Sequence, residues 1–572
     1  MRSDWVISTN RARCRDCYRC VRGCPVKAVR VREGQAQIVP ELCIACAHCV
    51  RVCPQGAKVI RDDREAVRQA IANGLKVVAT VAPSAPAFFA IDTFDQLADA
   101  LQALGFIAVE ETAFGAEMVG KAHRELVDAE PERWPIITSS CPVVVNLIER
   151  YYPDLIPHLA PIVSPMIAHG RWLQQHYGSN TYVVFIGPCI AKKAEILREP
   201  VLGAVQAAIT YAELQEWLDA EGIRIVPTQR AVEVVPRVNA RIFPVEGGLV
   251  GTANMDTDIL TSHIVTTSGL EACEDVLRGV RSGSLAACMV ELMACEGGCI
   301  NGPVMEDQVS AFLARQRVIQ FAARRQPRPL PTREQWPDLS CHYADRSVVT
   351  PEFGEAQILE VLHAVDKFSP EDELNCGACG YSSCREKAIA TLRGMAEPTM
   401  CIPYMRRRAE SLRQVVMDVT PDAVLIVDTR LYIQEMSPSA EKMFGTRLSQ
   451  VVGRPLQSIL PATDGFARVR NTGQPLLNET VTIRPELVVE QTIVPVKGQS
   501  LLVGILRDVT DEQRHRRELE HIRRETLART EQVVNNQMRV AQEIAQLLGE
   551  TTAEAKVALS RLARLLQEDR GE

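Results

Sequence analysis

Glu291-Leu292-Met293-Ala294-Cys295-Glu296-Gly297-Gly298-Cys299-Ile300-Asn301-Gly302-Pro303 is the stretch on which the reading of this chain turns. Cys295 and Cys299 stand four apart, with two glycines between them. Glycine has no Cβ, so the backbone can come close to a bulky inorganic group. Thiolates at this spacing suit an iron–sulfur site, but two of them do not complete a four-iron cluster. Two distant cysteines are the candidates for the remaining positions: Cys141 in Ile137-Thr138-Ser139-Ser140-Cys141-Pro142, and Cys189 in Ile186-Gly187-Pro188-Cys189-Ile190-Ala191-Lys192-Lys193. Each follows a short apolar run with strand character (135–138 and 181–186). Cys189 then falls at a turn after a strand, where α/β sheets bind ligands. Cys141 precedes the helical run 143–152, and a thiolate at a helix N-terminus is electrostatically favoured.

The same chemistry recurs at the N-terminus. Cys14, Cys17, Cys20 and Cys24-Pro25 are spaced C-x2-C-x2-C-x3-C-P, and Cys43, Cys46, Cys49 and Cys53-Pro54 repeat the spacing. This is the bacterial ferredoxin pattern, in which the fourth cysteine of each run serves the other cluster. Cys14, Cys17, Cys20 and Cys53 are expected to hold one 4Fe–4S centre, and Cys43, Cys46, Cys49 and Cys24 the second. Zinc knuckles do not interleave in this way. Two clusters in so small a fold make an electron relay.

Length and composition bound the rest. A chain of 572 residues holds several domains, and 46% apolar with 24% charged residues is ordinary for globular cores. A net charge of −7 argues against binding nucleic acid through phosphate contacts. Residues 1–13 lack the apolar core of a secretory signal, and the run 77–91 is interrupted by Pro83 and Pro86 and too short to span a bilayer. The expectation is a cytoplasmic protein without a membrane span, in which sixteen of the 19 cysteines are metal ligands rather than disulfides and Cys273, Cys288 and Cys341 are left over as structural. Between residues 63 and 325 strand-like and helix-like segments alternate, as in α/β architecture.

Across 77–304, the three segments around Cys141, Cys189 and Cys295/Cys299 resemble the three signature segments of the FeFe hydrogenases. The resemblance implies an H-cluster: Cys141, Cys189, Cys295 and Cys299 would hold a 4Fe–4S cluster, and Cys299 would also bridge to a two-iron centre carrying CO and cyanide. By the same resemblance Lys192 would donate to a cyanide and Met293 would pack against the cluster, with Glu195 either pairing with Lys192 or facing water. Several positions depart from the family. Active members read Thr-Ser-Cys-Cys-Pro at the first segment, and the first of those cysteines passes protons; here that position is Ser140, whose higher pKa makes it a poor relay. Met166 follows Ser164-Pro165 where the family has a polar residue, Ala160 stands in for a relay serine, and Gly187 for a methionine. The third segment ends Ile300-Asn301-Gly302-Pro303 rather than in a glycine run. Ligands kept and proton route cut imply slow interconversion of protons and hydrogen, suited to detection.

The C-terminal half holds further modules. Residues 323–340 contain four prolines, and 326–350 reads as a linker. Cys376, Cys379, Cys384 and Cys401 then resemble a small 4Fe–4S module over 351–411; zinc is the alternative metal, and Cys341 the alternative fourth ligand. The β-like runs 423–428, 480–483, 489–496 and 501–507 within 412–510 resemble a PAS domain. That stretch has neither Cys nor His, which removes a flavin–cysteinyl adduct and a His-ligated haem. Residues 511–572 read as a helical pair with an apolar stripe through Val533, Val540, Ile544 and Leu547, a stop at Gly549, and a restart capped by Thr551 and Glu554. His521 reads as an exposed helix residue.

The fold expected is therefore a multidomain α/β and α+β chain. It comprises a 2×4Fe–4S ferredoxin-like domain (1–62), an FeFe-hydrogenase α/β core (63–325), the linker, the small 4Fe–4S domain, the PAS domain and a helical output or dimerisation segment. The function expected is a redox or hydrogen sensor carrying three accessory 4Fe–4S clusters besides the H-cluster. Its partners would be H2 or ferredoxin and a downstream kinase, phosphatase or regulator, with a homodimer through the PAS domain and helices. An active hydrogenase and a cluster-scaffold protein lacking the two-iron centre are the alternatives.

Overall fold

The computed structural model describes residues 5–226, 240–255, 263–305, 309–324, 330–496, 498–548 and 552–568. They form two compact units, Met1–Tyr404 and Met405–Glu572. Among the described residues no helix is long and apolar enough to cross a membrane.

The cysteine repeat of the first unit folds as a structural repeat. Strand β1 (Ile7–Thr9) pairs antiparallel with β4 (Lys58–Ile60), and β2 (Val29–Arg32) with β3 (Gln35–Ile38). Two one-turn helices, Arg19–Arg22 and His48–Arg51, are each entered through a left-handed residue, Tyr18 (φ 54°) and Ala47 (φ 58°). Equal spacing of the cysteines thus produces equal backbone bends.

Two parallel sheets follow. The larger runs β6 (Ala108–Glu111), β5 (Val77–Val81), β8 (Tyr182–Gly187), β9 (Ala207–Thr210). All five residues of β5 are buried, the unbroken apolar pattern of a strand covered on both faces. The smaller runs β10 (Ile264–Ser268), β11 (Met289–Met293), β7 (Ile136–Ile137). In a parallel sheet all carboxyl ends share one edge, so the loops after β7, β8 and β11, which carry Cys141, Cys189 and Cys295, leave from carboxyl edges.

The ferredoxin-like repeat is bolted to this core. Along the helix Pro142–Tyr151, the Asn146 side chain donates to Ile44 O (3.2 Å), Arg150 Nε to Glu41 O (2.9 Å) and the Tyr151 hydroxyl to Leu42 O (2.7 Å). Within the expected linker, 326–350, residues 339–346 are held against the core. Val163 donates to Leu339 O and Cys341 to Pro161 O (2.9 and 3.0 Å). The fully buried Glu149 accepts from Arg198 (2.6 Å) and from Ala344 N (3.2 Å). Prolines lack an N–H to donate, but the intervening residues keep theirs. Residues 325–329 lie outside the described residues.

The second unit has one antiparallel sheet, β13 (Ile433–Met436), β12 (Ala423–Asp428), β16 (Leu501–Asp508), β15 (Leu487–Pro495), β14 (Leu476–Arg484). Strand β13 was not expected; Ile433-Gln434-Glu435-Met436 carries too little apolar signal. Phe466, on the helix Asp464–Thr472, is fully buried at the centre of the sheet. It needs Gly504 opposite, because a Cβ there would lie 2.2 Å from the ring. The helices Thr510–Leu548 and Thr552–Glu568 follow; the expected stop at Gly549 and the capping residue Thr551 lie outside the described residues. Val533, Val540 and Ile544 are about half exposed (54%, 47% and 50%).

Gly504→Ala should displace Phe466 and destabilise the PAS sheet by about 1–3 kcal/mol, the usual cost of overpacking. Hydrogen exchange in β15 and β16 should quicken, and Phe466→Leu in the same chain should restore much of the protection.

Candidate metal centres

Cys14, Cys17, Cys20 and Cys53 line one hollow, together with Tyr18 and Lys58. Cys24, Cys43, Cys46 and Cys49 line another, closed by Ile7, Val29 and Ile44. Cys53 thus lies with Cys14, Cys17 and Cys20, and Cys24 with Cys43, Cys46 and Cys49; the one-turn helix Arg19–Arg22 separates Cys24 from Cys20. The backbone treats both fourth cysteines alike, with Ala28 N donating to Cys24 Sγ (3.2 Å) and Ala57 N to Cys53 Sγ (3.3 Å). Burial pushes most of these thiols up, Cys46 to about 12. Cys53 is also partly desolvated, but N–H donors from Ala57 and neighbouring backbone hold it below the ordinary thiol range. Packed thiols that resist ionising alone fit a group whose positive iron stabilises the thiolate.

Cys376, Cys379, Cys384 and Cys401 line a third hollow. Cys341 is absent from it, lying instead in the α/β core with its backbone N bonded to Pro161 O. Buried Lys387 lies within electrostatic range of Cys401, Cys379 and Cys384 and donates to Pro398 O (3.2 Å). A cation there offsets the negative charge of clustered thiolates.

The fourth set is assembled from three loops of two sheets. Cys141 caps the helix Pro142–Tyr151 in extended conformation (φ −92°, ψ 109°). Cys189 follows β8, and Cys295 follows β11. Cys299 begins the one-turn helix Cys299–Asn301. A Cβ on Gly302 would lie 3.0 Å from Pro188 O, so the Cys299 and Cys189 loops touch. Cys295 feels Cys189, Cys299 and Cys141, and Cys299 feels Cys189 and Cys141. Burial first, then mutual repulsion, pushes the Cys189 thiol up to about 11 and Cys295 and Cys299 further. Cys46 of the ferredoxin-like repeat is also among the neighbours of Cys295.

Around these thiols the other expected residues take definite places. Lys192 donates to Glu195 (2.7 Å) and reaches Ser140 O (3.4 Å), so of the two readings of Glu195 the pair is the one formed; the ammonium lies within electrostatic range of Cys189 and Cys299. Ser140 Oγ and Ser164 Oγ are buried without a protein hydrogen-bond partner, while Ser139 Oγ donates to Ile162 O (2.6 Å). Met293 ends β11 beside Ser268 and is buried; its carbonyl accepts from Gly269 N (2.8 Å). Gly298 also stands against a second stretch of chain. A Cβ there would meet Pro244 O at 2.3 Å, so it makes room for another backbone segment.

One residue of the opening stretch went unassigned. Glu291 points its carboxylate at Leu249 N (3.2 Å) and Val250 N (3.0 Å), and burial pushes it up to about 7. Glu246 and Cys299 are within its electrostatic range. A charge inside the apolar run Met289–Met293 was the available signal.

Four cysteine sets, each turned to a hollow or to one another, define an iron–sulfur protein with an α/β core. Residues 75–303 match the family described as iron only hydrogenase large subunit, C-terminal domain, so the chain carries an FeFe-hydrogenase core. Residues 6–69 match a 4Fe-4S dicluster domain, 372–403 a putative Fe-S cluster and 417–514 the PAS fold. The periplasmic Fe hydrogenase large subunit of Nitratidesulfovibrio vulgaris is 27% identical over 376 residues, 54% of this chain and 88% of that one. The cytosolic Fe-S cluster assembly factor NAR1 of Kluyveromyces lactis is 35% identical over 104 residues, 18% of this chain and only 22% of that one. A structure of the FeFe-hydrogenase HydA1 from Chlamydomonas reinhardtii overlaps 49% of this chain and 99% of its own, at 19% identity and TM-score 0.40.

The raised carboxyl of Glu291 carries a stability signature. The folded state holds its proton up to about pH 7, whereas the unfolded chain releases it near 4.5. The contribution is thus full below 4.5 and is lost as pH rises towards 7. In the metal-free protein Glu291→Gln should flatten the stability profile between these limits, by up to roughly 3 kcal/mol, as read from denaturant midpoints.

Proposed function

We propose that this chain is a redox or hydrogen sensor built on the FeFe-hydrogenase core, reporting through its accessory centres to the PAS–helix module. The observation that carries the reading is the grouping of Cys141, Cys189, Cys295 and Cys299 beside Cys46, with the Ser140 hydroxyl buried and unpartnered. Cys141, Cys189, Cys295 and Cys299 would hold the cubane of an H-cluster, and Cys299 would bridge to the two-iron unit. That group, when bound, supplies the interconversion of two protons and two electrons with H2. The chain's own residues decide how well protons reach it. Lys192, held by Glu195, is a fixed cationic donor. Ser140 offers a hydroxyl that gives up its proton far less readily than a thiol. Met166 is buried and offers no donor. Met293 supplies apolar wall.

The twelve remaining cysteines assigned above would hold three accessory 4Fe–4S clusters. Partners of this reading are H2 or a ferredoxin-type donor and, beyond the PAS domain, a kinase, phosphatase or regulator. The apolar stripe through Val533, Val540 and Ile544 would pair two copies in the cytoplasm. A second reading, a cluster scaffold without the two-iron unit, draws on the similarity to the assembly factor. A catalytic hydrogenase is the third.

Infrared spectroscopy on artificially matured protein separates them. Bands of iron-bound CO and cyanide support the sensor or the enzyme, and their absence after successful maturation of a control removes both. Ser140→Cys should then raise hydrogen turnover by about 10²-fold or more, the scale of one proton-transfer group, with the infrared bands kept. Fast turnover of the native chain, unchanged by the substitution, would favour the enzyme.

A further inference from the structure

The third hollow is not suspended apart from the ferredoxin-like repeat. Gly380 (φ +96°) lies so close to the one-turn helix Arg19–Arg22 that a Cβ would stand 3.0 Å from both Arg22 N and Val21 Cγ1. Arg22 clamps the contact, one guanidinium nitrogen donating to Ala378 O (3.0 Å) and the other to Cys17 O (3.1 Å). Further along, Val31 N donates to Met395 O (2.9 Å) and Glu33 N to the Glu397 carboxylate (2.5 Å). Tyr381 and Met400 belong to the same buried apolar core as Val21, Cys24 and Ile44.

Tyr381 lies in this shared core. It lines the hollow of Cys376, Cys379, Cys384 and Cys401, and it is only 6% exposed. Its hydroxyl has no protein partner. It lies within electrostatic range of Cys379 on one side and of Cys24 on the other. Cys24 belongs to the second hollow, whose Cys46 lies within electrostatic range of Cys295. The first hollow differs: Cys17 is exposed and Cys14 partly so.

We propose that the hollow framed by Cys24, Cys43, Cys46 and Cys49 is a junction, serving the hydrogenase-type site through Cys46, the outside through the Cys14–Cys53 hollow, and the 376–401 module through Tyr381. Gly380, Arg22 and Tyr381 are the positioning residues that keep the last branch short. The step is the transfer of one electron, with no bond made or broken: the Cys24 site is oxidised by one electron and the 376–401 site reduced by one. A low-potential reductant supplies the electron, whether H2 at the hydrogenase-type site or a ferredoxin-type donor at the exposed end. Cys401 is followed at once by the helix Ile402–Val419, which leads in sequence to β12. The branch therefore ends at cysteines that, in sequence, come just before the second unit. This inference rests on the reading of the cysteines as cluster ligands, not on the two-iron unit.

The test is electron paramagnetic resonance on the full chain, reconstituted with iron and sulfide and titrated with dithionite. The native chain should show magnetic interaction between the module and the ferredoxin-like pair. Cys384→Ser should lose about four irons and, with them, that part of the interaction. Gly380→Val should keep its iron and lose the interaction, because the new side chain must push the helix Arg19–Arg22 away. If Gly380→Val sheds iron, Arg22→Ala with Tyr381→Leu makes the same comparison without added bulk. The proposal is overturned if the native spectrum equals that of Cys384→Ser plus an isolated module signal, or if the interaction survives in an iron-replete displaced variant. Missing infrared bands would remove the hydrogenase-type reading and leave this comparison standing, since it reads only the accessory centres.

Discussion

Sulfur has to be kept dry and close together, and most of the architecture follows from that demand. A buried thiol resists ionising, and a second thiol nearby makes it worse, as the raised positions of Cys46, Cys189, Cys295 and Cys299 record. An arrangement that gathers such groups is reasonable only if something positive is meant to sit among them. The surrounding protein supplies what it can offer, backbone N–H donors to Cys24 and Cys53 and the buried Lys387 ammonium near Cys379, Cys384 and Cys401.

Rigidity comes from a different source. The loops that bear Cys141, Cys189 and Cys295 leave from parallel strands whose residues are almost entirely buried, so their starting points are set by sheet packing. Close backbone approaches, Gly302 against Pro188 and Gly298 against Pro244, then lock the loops to their neighbours. The glycines between Cys295 and Cys299 illustrate how one residue can carry a second reason. Read alone, they admit a metal group; in the fold, Gly298 also admits another stretch of chain.

On the proposed reading, ligand retention and proton delivery would part company at the Cys141–Cys299 site. The cysteines sit on strand-end loops, whereas proton delivery needs an unbroken series of groups that accept and release at accessible pKa, and a hydroxyl at Ser140 would interrupt it. Glu291 titrates in a usable range, but it is satisfied by two amides.

Much of this was legible without coordinates. The two ferredoxin runs, the Cys376–Cys401 spacing and the apolar runs that became β5, β8, β12 and β16 are local signals, because i, i+3 spacing and a buried strand's composition are properties of neighbours along the chain. Strand β13, too polar to announce itself, was not legible. Neither was the choice between Cys341 and Cys401, nor the partner of Glu195. Those depend on which surfaces meet after folding: residues 339–346 pack on Glu149 and Pro161, while Cys401 turns to the third hollow. The sequence by itself determined which cysteines stand at metal-ligating spacing along the chain. Only the tertiary structure decided which groups adjoin, placing Cys46 near Cys295 and Tyr381 between Cys379 and Cys24, because such contacts join residues hundreds of positions apart and are set by the packing of whole elements.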